Sequence, residues 1–242
     1  MKRSTYQQTN FISSGKICFV IIFSIAMAFL ESAVVIYLRE LYYPEGFGFP
    51  LKSMDKTLML TELLRELATI IMLISIGYLS SQNKRERFAI FLLSFAVWDI
   101  FYYVFLKALL NWPLGLNDWD ILFLLPLPWY GPVWAPVLIS IMMILYAMLL
   151  LNSLKTGFPF KHHIRDIIMI SLGTTMVLYS MMEDAIMMNM HGMPVDQIAL
   201  NHVPISFNLW IYFSGIGLYL YTGIQIWMRI QTGKQTSHII TF

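Results

Sequence analysis

Charge is what this chain has least of. Of its 242 residues only 12% are Asp, Glu, Lys or Arg, about half the share of an ordinary soluble domain. Sixteen basic and 14 acidic side chains cannot provide the polar skin that a soluble core of this size needs. A soluble enzyme, a nucleic-acid-binding protein and a disordered chain are therefore poor readings. Cysteine is nearly absent: Cys18 is the one thiol, which rules out an intramolecular disulfide and a Cys-based metal site. It lies in an apolar run and reads as packing. Motifs of catalysis are also missing. There is no Gly-x-Ser-x-Gly, no His-Glu-x-x-His and no phosphate-binding glycine loop.

What is abundant is apolar sequence, at 58%. Six segments approach or exceed the roughly 20 residues that a spanning helix needs: 17–39, 58–80, 88–110, 132–152, 166–188 and 206–228. The expected fold is an all-α integral membrane bundle of six helices forming one domain over 1–242. The first run is too long for a signal-peptide core and lacks a small-x-small cleavage site, so it is expected to stay as a span. Breakers separate the runs: Pro44, Gly46, Gly48 and Pro50, then Ser80 to Arg87, then a long Pro/Trp-rich loop from Trp112 to Pro132. Within that loop, Ile121 to Pro128 is short and apolar. It is expected either to dip into the membrane or to lie at its surface, with Trp112, Trp119, Trp129, Tyr130 and Trp134 at headgroup depth. Ser214, Gly215 and Gly217 read as a site of close helix packing.

Basic residues set the expected orientation. Lys2, Arg3, Lys16, Lys84, Arg85, Arg87, Lys155, Lys161, Arg165, Arg229 and Lys234 all fall on one side of a six-span model. Arg39, Lys52, Lys56 and Lys107 fall on the other. The first side is expected to be cytoplasmic, with both termini on it, in a multi-pass protein of a cell membrane.

The informative residues are the ionisable ones inside the spans: Glu31, Glu62, Arg65, Glu66, Asp99, Glu183 and Asp184. Each costs on the order of 2.5–3.5 kcal/mol at a helix centre and usually faces the bundle interior. Counted at about 1.5 Å per residue, Glu31 lies about 21 Å and Asp99 about 16 Å from the cytoplasmic edge. All of the acids fall at the midplane or beyond it. Four helices thus converge on one carboxylate-rich layer in the outer half of the membrane. Glu62, Arg65, Glu66 and Thr69 share one helical stripe, so Arg65 can pair with either glutamate. Tyr103 shares a face with Asp99.

So many acids cannot all ionise in a low dielectric. They must bind protons, pair with cations such as Arg39 and Lys107, or ligate a metal. A divalent or transition metal ion is the cofactor this chemistry could take, held by Glu31, Glu62, Glu66 and Asp99 with His191 and His202 folded inward. The expected function is binding of a cation, a proton or a polar headgroup at these residues. The alternatives are a membrane-embedded enzyme acting on a lipid or quinone-like substrate, a transporter, and an accessory subunit of a membrane complex. Membrane lipid is the expected partner, with other membrane subunits as a further one and nucleic acid as none.

Overall fold

The computed structural model describes residues 12–155 and 162–240, without the side chains of 233–240. Lys2, Arg3, Lys161 and the Lys234 side chain lie outside the described residues. Seven helices and one hairpin follow in the order α1 (Ser14–Tyr42), α2 (Lys56–Ser80), α3 (Lys84–Leu110), β1 (Trp119–Phe123), β2 (Trp129–Pro132), α4 (Trp134–Lys155), α5 (Ile164–Met190), α6 (Val195–Asn201) and α7 (Leu209–Ile240). Each of the six apolar segments falls on one long helix. Four of these, α1, α3, α4 and α5, are long and apolar enough to cross a membrane. Helix α2 interrupts its apolar run with Glu62, Arg65 and Glu66.

Local chemistry places the helix ends. Ser13, Asp55 and Asn83 accept backbone N–H bonds at the starts of α1, α2 and α3; side-chain acceptors there satisfy donors that lack an intrahelical partner. Asn111 ends α3 at φ 52°, and Pro113 stops any continuation.

Small residues set the helix seams. Ser24 and Ser94 bond Oγ to Oγ at 2.7 Å across α1 and α3, and Ser32 donates to the Tyr102 carbonyl at 3.2 Å. Helices α5 and α7 cross at two glycines. A Cβ on Gly215 would stand 2.8 Å from the Gly173 carbonyl oxygen, so only hydrogen fits there. Gly217 has open space around it; of the expected packing glycines, Gly215 alone makes the crossing. Cys18, expected to pack, is exposed.

The apolar stretch of the Trp112–Pro132 loop enters between the helices: Phe123 packs on Trp98 and the Leu124 N–H reaches Glu66. It forms an antiparallel hairpin with Asp120 opposite Gly131 and Ile121 opposite Tyr130. Of the five aromatics expected at headgroup depth, Tyr130 is buried and the four tryptophans are half-buried. Tyr130 is 2% exposed and packs with Ala185 and Ile198, and Trp134 packs against Phe207, Tyr212 and Phe213. The other connections meet the hairpin at the same end of the bundle. Phe49 contacts Tyr130 edge-on, His202 lies against Tyr130, and the Leu51 N–H donates to the Ala199 carbonyl at 3.0 Å. Helix α3 packs on α1, α2 and α4, and α5 packs on α7. The two groups meet at one end, where Ala135 of α4 packs with Val177 and Met181 of α5 and Tyr212 and Ile216 of α7. A space opens between them.

Candidate functional site

That space is a cavity of about 760 Å³, within the size range of ligand sites. Its polar end is built from helices α1, α2 and α3 and from the hairpin. Arg65 joins two carboxylates: its guanidinium pairs with Glu62 at 2.9 Å, one turn earlier on α2, and with Glu31 across on α1. The Thr69 hydroxyl donates to the second Glu31 oxygen. Glu31 and Glu62 are 6% exposed. These two buried acids therefore have a cation and hydrogen bonds, as buried charge requires.

A second pair caps the cavity. Arg39, one of the cations expected to pair with an intramembrane acid, reaches Asp120 on β1 at 3.3 Å. Its guanidinium sits in the corner formed by the rings of Phe47 and Trp112, at 4.2 and 3.7 Å from their centres, where the ring faces attract the cation. The Tyr103 hydroxyl donates to the other Asp120 oxygen at 3.2 Å. Asp120 is 1% exposed. Burial pushes its carboxyl up to about 6, and Arg39 is the main group holding it down. The expected Lys107 pairing does not form; its ammonium donates to the Pro113 carbonyl.

Two acids in the same cavity have no cation within ion-pair distance among the described residues. Glu66 accepts the Leu124 backbone N–H at 3.0 Å to each oxygen. Asp99 accepts the Ser140 hydroxyl from α4 at 2.8 Å.

Glu31, Glu62, Arg65, Glu66, Asp99 and Tyr103 thus all line one cavity. Glu183 and Asp184 do not. Glu183 accepts from the Asn208 amide at 3.0 Å, and Asp184 faces His202 at 2.9 Å. His191 is exposed at the end of α5, and its backbone N–H bonds the Met187 carbonyl. The expected metal set therefore does not assemble. Among the described residues no three His, Cys, Asp or Glu side chains come together to hold an ion. The physical reason is that each expected ligand is committed elsewhere or lies apart: Glu31 and Glu62 to Arg65, His202 to Asp184 and Tyr130.

Asp120, Arg39, Trp98, Trp129 and Ser140 were not among the expected site residues, although they line the cavity. One signal was present. Trp98-Asp99-Ile100 and Trp119-Asp120-Ile121 repeat a tripeptide, and both aspartates face this space. Away from the acids the wall becomes apolar, running past Phe95, Phe91 and Phe88 on α3 and Leu145 and Leu149 on α4 to Gly223 on α7. From Asp99 to Phe88 this leg is about 16 Å long at about 1.5 Å per residue.

Comparison with known proteins yields no match: no family model fits the chain, and no curated protein or solved structure is similar to it. The site's chemistry is read from its own residues.

Proposed function

We propose that this chain is a multi-pass protein of a cell membrane, with six spanning helices (α1 to α5 and α7) and cytoplasmic termini, that binds the polar headgroup of a lipid-like amphiphile. One observation carries the reading: a single cavity joins a buried cluster of carboxylates and arginines to an apolar leg about 16 Å long at about 1.5 Å per residue. Half of a hydrocarbon core about 30 Å thick is of similar length. A free cation or proton needs no such leg, whereas an acyl or isoprenoid chain does. The basic-residue asymmetry supports the orientation. Interdigitation of the 43–55, 111–133 and 191–208 connections at one end of the bundle supports three hairpin-like pairs of spans.

The test fills the leg and leaves the polar end alone. Gly223 lines the cavity with nothing within 4 Å of its would-be Cβ. Gly223→Trp is expected to fold, judged by a monodisperse elution and an unchanged helical spectrum, and to lose the amphiphile that co-purifies with the wild type. Equal retention in the two proteins, or no bound amphiphile in the wild type, overturns the reading.

A second reading is favoured by Glu66 and Asp99, acids that face the same space without a cation. They could move protons on a bound amphiphile, which would make the chain a membrane-embedded enzyme. Glu66→Gln and Asp99→Asn variants that keep the amphiphile but no longer convert it would support catalysis. Unchanged lipid composition in cells making either variant would oppose it.

A further inference from the structure

The cavity contains three buried hydrogen-bond donors that nothing uses. Arg39 Nη1, Trp98 Nε1 and Trp129 Nε1 have no partner among the described residues. Arg39 and Trp98 are each 7% exposed, and all three residues line the cavity. A buried donor left unpaired costs about 1–3 kcal/mol, so buried polar groups ordinarily have partners. Three orphan donors around one space point to a ligand that brings acceptors.

Their setting is specific. Trp98 and Trp129 pack on the same ring, Phe123, at 6.4 and 5.2 Å between centroids. Glu66 adjoins this group, tied to the backbone of Leu124, the residue after Phe123. Asp99 lines the same cavity but turns to Ser140 on α4. Two indole donors seeking an acceptor and a carboxylate lacking a cation therefore meet around one aromatic ring.

Charge decides what satisfies both. The cavity wall carries Glu31, Glu62, Glu66, Asp99 and Asp120 against Arg39, Lys52 and Arg65. An anionic headgroup would find its acceptor oxygens satisfied by the donors but would add negative charge beside Glu66 and Asp99. A simple amine would answer the acids and leave the donors orphaned. A zwitterionic group does both, since its phosphate or ester oxygens accept from the indole and guanidinium N–H groups and its ammonium sits against the carboxylates. The faces of Trp98, Phe123 and Trp129 add cation–π attraction for that ammonium.

Resting on the amphiphile reading above, we infer that the ligand is a zwitterionic phospholipid. Its phosphate-ester oxygens are held by Trp98, Trp129 and Arg39, and its ammonium group by Glu66. The apolar leg takes a chain of the same molecule.

The experiment is competitive retention on the full chain. Protein purified in mild detergent is exchanged into mixed micelles with equal amounts of phosphatidylethanolamine, phosphatidylcholine and phosphatidylglycerol, and the bound lipid is read by native mass spectrometry. The wild type is expected to keep either zwitterionic lipid at least tenfold over the anionic one. Trp98→Phe and Trp129→Phe keep a ring in the core and remove the N–H together with part of the indole. Each is expected to weaken zwitterionic lipid retention severalfold with the fold intact, judged by an unchanged helical spectrum, and the double variant to weaken it further. Glu66→Gln is expected to erase the preference over the anionic lipid. Equal retention of all three lipids, or preference for the anionic one, overturns the headgroup assignment while leaving the amphiphile reading intact. Indole variants that bind like the wild type also overturn it. Retention of no lipid by the wild type defeats both.

Discussion

Two kinds of carboxylate share one cavity. Glu31, Glu62 and Asp120 each lie against a guanidinium, and Thr69 and Tyr103 satisfy further oxygens. Glu66 and Asp99 meet a backbone N–H and a hydroxyl. The first group ties α1 to α2 and α1 to the hairpin, so it belongs to the architecture. The second leaves capacity for something else. In a medium where an unpaired charge costs several kcal/mol, the acids without cations are where the proposed ligand would be admitted.

Removing the cation from the first group gives the largest effect. Arg65→Gln leaves Glu31 and Glu62 facing each other without it. The expected loss is about 3–5 kcal/mol, the scale for breaking a buried pair, seen as a large drop in thermal midpoint in mild detergent. A drop of only a degree or two would show that these acids are already neutral and that the two groups do not differ.

Arg39→Gln comes next, at about 3 kcal/mol near pH 8, and its cost is expected to shrink at low pH. Asp120 can accept a proton: burial raises its carboxyl from 3.8 to about 6 even beside Arg39. For an acid raised on folding, the folded state holds the proton more tightly than the unfolded chain. Its stabilising contribution is complete below 3.8 and is lost as the pH rises through about 6. Without Arg39 the folded-state titration moves upward, so the loss extends to higher pH. Thermal midpoints from pH 4 to 8 check this. In Asp120→Asn the dependence across that window is expected to be absent, a difference on the order of 2 kcal/mol.

Glu66→Gln should cost under about 1 kcal/mol, because the amide oxygen can still accept the Leu124 N–H. Its effect should appear in ligand retention and not in the thermal midpoint. A collapse of the fold would place Glu66 with the architectural acids. Glu183→Gln should do least, within about 0.5 kcal/mol and with no change in retention, because Glu183 lies outside the cavity and accepts from Asn208. Altered lipid binding in that variant would extend the site beyond the cavity.

Much of this was legible before folding. The stripe of Glu62, Arg65, Glu66 and Thr69 at helical spacing predicts one polar face, and α2 presents it to the cavity. Glu183 lies outside the cavity, a placement the sequence leaves open because depth along a helix says nothing about which way the residue faces around it. Asp120 and Trp129 were misjudged because a Pro/Trp-rich loop offers no periodicity from which to infer a pairing. The hairpin places Asp120 against Arg39, 81 residues away, a contact that no local pattern encodes. The metal expectation failed for a related reason: counting acids and histidines at one depth ignores which partner each meets first.

By itself, the sequence determined that the chain is apolar and helical, where its long helices run, and which side chains are too costly to face lipid, because these follow from hydrophobicity and from periodicity along one helix. Only the tertiary structure decided which acids are paired, that the hairpin carries a site aspartate, and that the helices part around a cavity with an apolar leg. Those outcomes depend on helix rotation and on contacts between distant segments. They are set by close approaches such as Gly173 against Gly215 and Ser24 against Ser94, where the small size of the side chains lets the backbones meet.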